Sequence, residues 1–243
     1  MSSPPPPPAA EPVDPRPDLA RRAAAEGIGV FALVFAGCGA IVAEAENPGA
    51  LGAIGVAFVF GLIVMAMVYA TGHLSGAHLN PAVTLAFALT RHFPRAEAVA
   101  YLLAQIAGAL AAAALLAAVW PSQPADLGAT LPAVGIGSAF IYEVVLTAFL
   151  MFVIMAVATD TRAIGAAAAI AIGGTVGLDA LFGGPVTGAS MNPARSLGPA
   201  LVSGELHYLW LYLTAPVLGA ALGALAYQLV RGEHPAGTAT EAA

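Results

Sequence analysis

Ser75-Gly-Ala-His-Leu-Asn80-Pro-Ala-Val-Thr84 and Thr187-Gly-Ala-Ser-Met-Asn192-Pro-Ala-Arg-Ser196 align without gaps at a constant offset of 112 residues, with five of ten positions identical. Each copy contains Asn-Pro-Ala. Asparagine is a preferred helix N-cap, and proline suits the first helical position, where its missing N–H costs no intrahelical bond. The motif therefore predicts two helix starts, at Asn80 and at Asn192. A helix from Asn80 to about Thr90 covers ~15 Å at ~1.5 Å per residue, half of the ~30 Å hydrocarbon core of a bilayer.

The chain around these segments reads as a membrane protein. Of 243 residues, 59% are hydrophobic and 9% charged, with a mean hydropathy of +0.85; a soluble domain carries roughly 25% charged residues. A soluble globule is excluded. Spans of about 20 apolar residues are read near residues 20–43, 51–72, 96–119, 136–159, 163–182 and 207–230. The 44 residues between Glu46 and Arg91 hold no formal charge, more than one span needs. That surplus, 72–90, contains the first motif, and a similar surplus over 183–206 contains the second. Each half has three spans, so the second half enters the membrane in the opposite sense, as an inverted repeat. In such repeats functional elements sit near the midplane, where half-helices meet. The expected fold is all-α, with six transmembrane helices and two re-entrant half-helices. One domain covers 20–231 (repeat one about 20–119, repeat two about 136–231), flanked by tails at 1–19 and 232–243.

Fourteen acids and eight bases give a net charge of −6, and all eight bases are arginine. This excludes a basic nucleic-acid surface, and no nucleic-acid partner is expected. Arg16, Arg21, Arg22, Arg91, Arg95, Arg162 and Arg231 fall on one face of the six-span arrangement, which by the positive-inside rule puts both termini in the cytoplasm. Arg195 is the exception. The first nineteen residues contain eight prolines and read as a disordered or polyproline-type tail without the basic start and apolar middle of a cleavable signal. Arginine without lysine, with abundant alanine, suits a GC-rich genome and a plasma membrane, the inner membrane if bacterial. The single cysteine, Cys38, forms no internal disulfide and no thiolate metal site. No metal or cofactor is expected.

The paired Asn-Pro-Ala motifs, with Ser-Gly-Ala-His before the first and Arg-Ser-Leu-Gly-Pro-Ala after the second, resemble the major intrinsic proteins, the aquaporin and glycerol-facilitator family. The resemblance covers residues 20–231, and its second motif region is closest to the nodulin-like members. It implies a homotetramer of hourglass-shaped protomers, each with its own pore. It also implies a pore at Asn80, Pro81, Ala82, Asn192, Pro193 and Ala194, and a selectivity filter at Phe60, Ala180, Ala189 and Arg195. Water-selective members carry histidine at the position of Ala180 and a larger polar residue or cysteine at that of Ala189, and nodulin-like members usually carry tryptophan at that of Phe60. Glycerol facilitators have aspartate where Ser196 stands. The resemblance further implies that Glu26 and Glu143 support the re-entrant loops, that His73 lines the inner vestibule, and that His78 lines the vestibule or ties down its loop.

Physical chemistry gives these positions a common purpose. Two half-helices entering from opposite faces bring their positive ends together at the midplane and repel cations. Asn80 and Asn192 can cap with their carbonyl oxygens and aim amide N–H donors at the lumen. Arg195 adds a positive constriction on one side only, since Val83 occupies the matching place in the first copy; helix-end and arginine barriers of this kind are known in aquaporin-type pores. The expected activity is a passive channel for water and small uncharged solutes such as glycerol, with neutral metalloid hydroxides a further class, excluding ions and protons and performing no chemical step. Two other readings stay open: an ion- or proton-coupled secondary transporter, in which intramembrane glutamates also occur, and a membrane scaffold with a closed pore.

Overall fold

The computed structural model describes residues 17–160 and 167–232. Arg16 and Arg162, most of the proline-rich tail and the residues after 232 lie outside them, so the described arginines on the expected inner face are Arg21, Arg22, Arg91, Arg95 and Arg231.

Eight α-helices follow in order: α1 (Leu19–Glu46), α2 (Gly52–Ser75), α3 (Pro81–Leu89), α4 (Arg95–Val119), α5 (Ile136–Thr159), α6 (Ala168–Thr187), α7 (Pro193–Ser203) and α8 (Leu209–Val230). Six of them are long and apolar enough to cross a membrane; α3 and α7, with nine and eleven residues, are not. Where 163–182 is the span expected from sequence, α6 runs on to Thr187. Gly183 and Gly184 do not stop it, and Pro185 lies inside its last turn, where it removes one backbone bond without ending the helix. The stop is Gly188, whose φ of 82° is left-handed, just as Gly76 at 88° closes α2. Glycine adopts this conformation without a Cβ penalty.

Lipid provides no hydrophobic drive between helices, so they associate through close packing. Small residues permit it here. α2 and α6 cross where Gly61 meets Gly173: a Cβ on the first would lie 2.8 Å from the carbonyl oxygen of the second, and one on the second 2.6 Å from that of the first. These two glycines are themselves 112 residues apart, so the repeat's pseudo-twofold axis passes between them. α1 packs on α4, and α5 on α8, in the same way. A Cβ on Gly108 would overlap the Gly27 carbonyl oxygen, and one on Gly219 that of Val144. Overpacking of this kind costs ~1–3 kcal/mol per site. α1 and α4 are also joined by Arg22, whose Nη1 lies 2.7 Å from Glu97 Oε2. The helices thereby frame two re-entrant segments, each a non-helical approach followed by a half-helix.

Candidate functional site

Both half-helices start as the motif predicts. Asn80 and Asn192 are N-caps in extended conformation; Asn80 Oδ1 accepts from Ala82 N at 2.9 Å, and Asn192 Oδ1 from Ala194 N and Arg195 N at 3.0 and 3.3 Å. Their amide groups then cross the axis. Asn80 Nδ2 donates to Met191 O at 2.7 Å, and Asn192 Nδ2 donates to Leu79 O at 2.8 Å. The two positive helix ends are thus bolted tip to tip. Each NH₂ has two hydrogens, so one per asparagine is committed to the opposite loop and one is left for the cavity that both residues line.

The approach to each half-helix has an unusual backbone. Ala77 and Leu79 (φ 47° and 52°) and, 112 residues on, Ala189 and Met191 (43° and 52°) are all left-handed without being glycine. Such conformations persist only when the surroundings over-determine them. Here a buried glutamate does so. Glu26 accepts from Ser75 Oγ (2.7 Å), His78 N (2.9 Å), Leu79 N (2.6 Å) and Gln105 Nε2 (2.9 Å). Glu143 accepts from Thr187 Oγ1 (2.7 Å), Ser190 N (2.9 Å) and Met191 N (3.0 Å). Backbone at this depth finds no water, so its N–H groups need partners within the protein. Tyrosine hydroxyls complete each cradle from outside: Tyr101 donates to Ser75 O and Tyr212 to Thr187 O, both at 2.7 Å.

A cavity runs past both asparagines and is lined by Phe60, Val64, Ala180, Ala189, Arg195 and the loop residues 76–79, among others. A second cavity, bounded by Glu44, Ala53, Val56, Leu131 and Pro185, meets it at Phe60, Ala180 and Ala189. There Arg195, only 1% exposed, places its guanidinium carbon 4.9 Å from the centre of the Phe60 ring. Arg195 Nη1 donates to Gly128 O at 2.7 Å, while Nε and Nη2 have no partner among the described residues. The ring therefore has a donor side, an aromatic side and two methyl-lined walls.

Of the positions singled out from sequence, Asn80, Asn192, Phe60, Ala180, Ala189, Arg195 and His78 line this cavity. Pro81, Ala82, Pro193 and Ala194 form the first turns behind the asparagines. His78 also holds its own loop: its Nδ1 lies 3.1 Å from Thr84 Oγ1, and its ring packs among Phe87, Phe93 and Tyr101. His73 is exposed in the last turn of α2 and is not among the residues that line the cavity. Three contributors were missed in the sequence. Gly128 closes a turn over Pro124–Gly128 in which Ala125, Asp126 and Leu127 are left-handed, so close to Cys38 that a Cβ on it would lie 2.9 Å from Cys38 Cβ. Gln105 donates to Glu26, and Thr130 Oγ1 donates to Ser196 Oγ at 2.8 Å. For the flanking tyrosines a signal existed, since Tyr101 and Tyr212 are separated by nearly the repeat offset.

This arrangement recurs in known proteins. The family model for the major intrinsic proteins matches residues 15–227. Among curated relatives, Aquaporin NIP1-4 of Oryza sativa subsp. japonica is 54% identical over 207 residues, 85% of this chain and 76% of its own length. Nodulin-26 of Glycine max is 48% identical over the same shares of both chains. Among solved structures, the aquaglyceroporin from Plasmodium falciparum superposes with a TM-score of 0.78 at 27% identity, covering 88% of this chain and 97% of that one. With the matched model spanning most of its length and nodulin-like relatives at this level of identity, the chain belongs to the major intrinsic protein family.

Proposed function

We propose that this multi-pass membrane protein is a passive channel for water and small uncharged solutes, with a constriction wide enough for glycerol and, by the same chemistry, neutral metalloid hydroxides. The observation that carries this reading is the ring of Phe60, Ala180, Ala189 and Arg195, which sets a guanidinium 4.9 Å from the centre of an aromatic ring and lines the remainder with two alanines. A polyol can lay its carbon edge on the ring while its hydroxyls bond the guanidinium. Water needs only the donors. Two half-helix ends and Arg195 put positive charge in the path, which opposes cations and hydronium.

The glutamates support this reading over a proton-coupled transporter. Glu26 and Glu143 accept bonds from loop backbone and side chains, so their carboxylates serve as scaffold and not as a mobile proton relay. No chemical step is involved. The same reading assigns Asn80, Pro81, Ala82, Asn192, Pro193 and Ala194 to the pore centre and His78 to loop support. It places the working form as a homotetramer in a plasma membrane, with residues 20–231 as the channel domain and both termini cytoplasmic; Arg21, Arg22, Arg91, Arg95 and Arg231 at one end of the bundle favour that orientation. Osmotic shrinkage of proteoliposomes tests the activity. Fast water flux with no ion gradient and no saturation is expected, whereas a saturable, gradient-dependent flux would point to a transporter and background rates to a scaffold.

A further inference from the structure

The arginines at the end of the bundle that carries both chain termini are not equivalent. Arg21 pairs with Asp18, and Arg22 with Glu97. Arg91 and Arg95 have no acid partner among the described residues. They flank a pocket built from Ala88, Arg91, His92, Phe93, Pro94 and Arg95, with no carboxylate in its wall. The acids described at this end are engaged elsewhere: Asp18 and Glu97 as above, and Asp160 by the Tyr227 hydroxyl at 2.9 Å. Arg95 is exposed and spends its Nε on Ala88 O at 3.3 Å, with no acid on its Nη groups among the described residues. Arg91 is exposed and held at a left-handed φ of 64°. Arg231, at the end of α8, lies within electrostatic reach of His92 and adds to the positive field; burial first, and that charge second, hold the His92 imidazole below its ordinary pKa.

The pocket also sits where a lipid would. Leu85 and Leu89 on α3, in the helix that leads into the pocket, are 38% and 49% exposed. Apolar side chains bare to this degree close to Arg91 and Arg95 describe a boundary with hydrocarbon on one side and anionic phosphate on the other. Arginine matches phosphate oxygens in pairs of hydrogen bonds, and basic pockets at helix ends recognise lipid headgroups. We propose that the pocket at the α3–α4 loop binds the phosphate of an anionic phospholipid, held by Arg91 and Arg95, with an acyl chain along Leu85 and Leu89. The assignment depends on neither the solute nor the side of the membrane.

The test uses the full-length protein in a neutral detergent. Its melting temperature and its lipid adducts in native mass spectrometry are followed with added phosphatidylglycerol, with phosphatidylcholine of the same acyl chains, and with inorganic phosphate. Phosphatidylglycerol should raise the melting temperature and remain bound, and the other two should not. Each of R91Q and R95Q should weaken phosphatidylglycerol binding about fivefold, the worth of one arginine near an anionic surface. R21Q should leave binding unchanged, and none of the three should alter water flux. Should a glutamine variant fail to fold, the parent carries its own test, because the phosphatidylglycerol effect should fade in high salt. Equal stabilisation by phosphatidylcholine, an equal effect of inorganic phosphate, undiminished binding in R91Q and R95Q combined, or a salt-insensitive effect would each overturn the assignment.

Discussion

In the first re-entrant segment the His78 ring nitrogen and the Thr84 hydroxyl lie 3.1 Å apart; at the matching positions of the second, the Ser190 and Ser196 hydroxyls lie 2.6 Å apart. One bond is made by two different pairs. The backbone around it is the same in both, down to the left-handed residues, the N-capping asparagine and the glutamate beneath. The differences lie in what braces each segment from outside. Gln105 donates to both Glu26 and Thr84 in the first. Its counterpart on α8 is Pro216, which has no side-chain donor, so Glu143 accepts three bonds where Glu26 accepts four. The second segment is braced instead by the loop after α4, through Thr130 on Ser196 and Gly128 on Arg195. The symmetric part of the molecule is thus the backbone scaffold, and the asymmetric part, Val83 against Arg195 with its loop, is where the proposed function puts the discrimination between solutes.

The largest effects should come from the symmetric part. Glu26→Leu strands four donors and Glu143→Leu three, at roughly 1–3 kcal/mol for each buried group left unmade. Neither variant should give a monodisperse channel on size-exclusion chromatography, with Glu26→Leu the worse. Normal folding of either would mean that the loops hold their shape without the carboxylate.

The bracing loop comes next. Gly128 has φ 77°, and a Cβ there would lie 2.9 Å from Cys38 Cβ, whereas Gly204 has φ 86° and open space around it. Gly204→Ala should cost about 1 kcal/mol for backbone alone, measured by thermal melting. Gly128→Ala should cost more, by the ~1–3 kcal/mol of overpacking. It should also change the glycerol-to-water flux ratio, because the carbonyl that holds Arg195 moves; an unchanged ratio would detach Gly128 from the constriction.

A smaller effect, of opposite sign, is expected at Asp179. It is 1% exposed, and neither carboxylate oxygen has a partner among the described residues. The first repeat has Met67 there. Asp179→Met should stabilise the fold by on the order of 1–2 kcal/mol, read as a higher melting temperature, since removing an unpartnered buried polar group relieves its desolvation. A fall would show that Asp179 holds a needed contact.

The smallest effect expected is none. Cys38 is fully buried in α1, and no other thiol exists, so mercurials should leave water flux unaltered in stopped-flow assays. Inhibition reversed by a reductant would mean that modification at Cys38 displaces Gly128 and, through it, Arg195.

The symmetric scaffold was largely legible in the sequence because its signals are periodic or local. Span length, the repeat offset and the Asn-Pro helix start each follow from backbone chemistry. The fifth span was expected to end at 182, whereas α6 continues to Thr187 and stops at the left-handed C-cap Gly188. The bracing contacts were not legible. Nothing local in Pro124–Gly128 says that a carbonyl there will meet a guanidinium 67 residues further on. The asparagines were read as aiming their amide donors at the lumen, whereas half of those hydrogens bind the opposite loop, a fact visible only once the two tips are in contact.

The central claim is that Ala180 and Ala189 leave the constriction open to a polyol. It is tested most directly by stopped-flow light scattering of proteoliposomes in glycerol and in an impermeant osmolyte, for the parent and for the double variant Ala180→His with Ala189→Thr. The parent should pass both water and glycerol, and the double variant should lose glycerol flux while keeping most of its water flux. A parent that conducts water but is closed to glycerol would contradict the account.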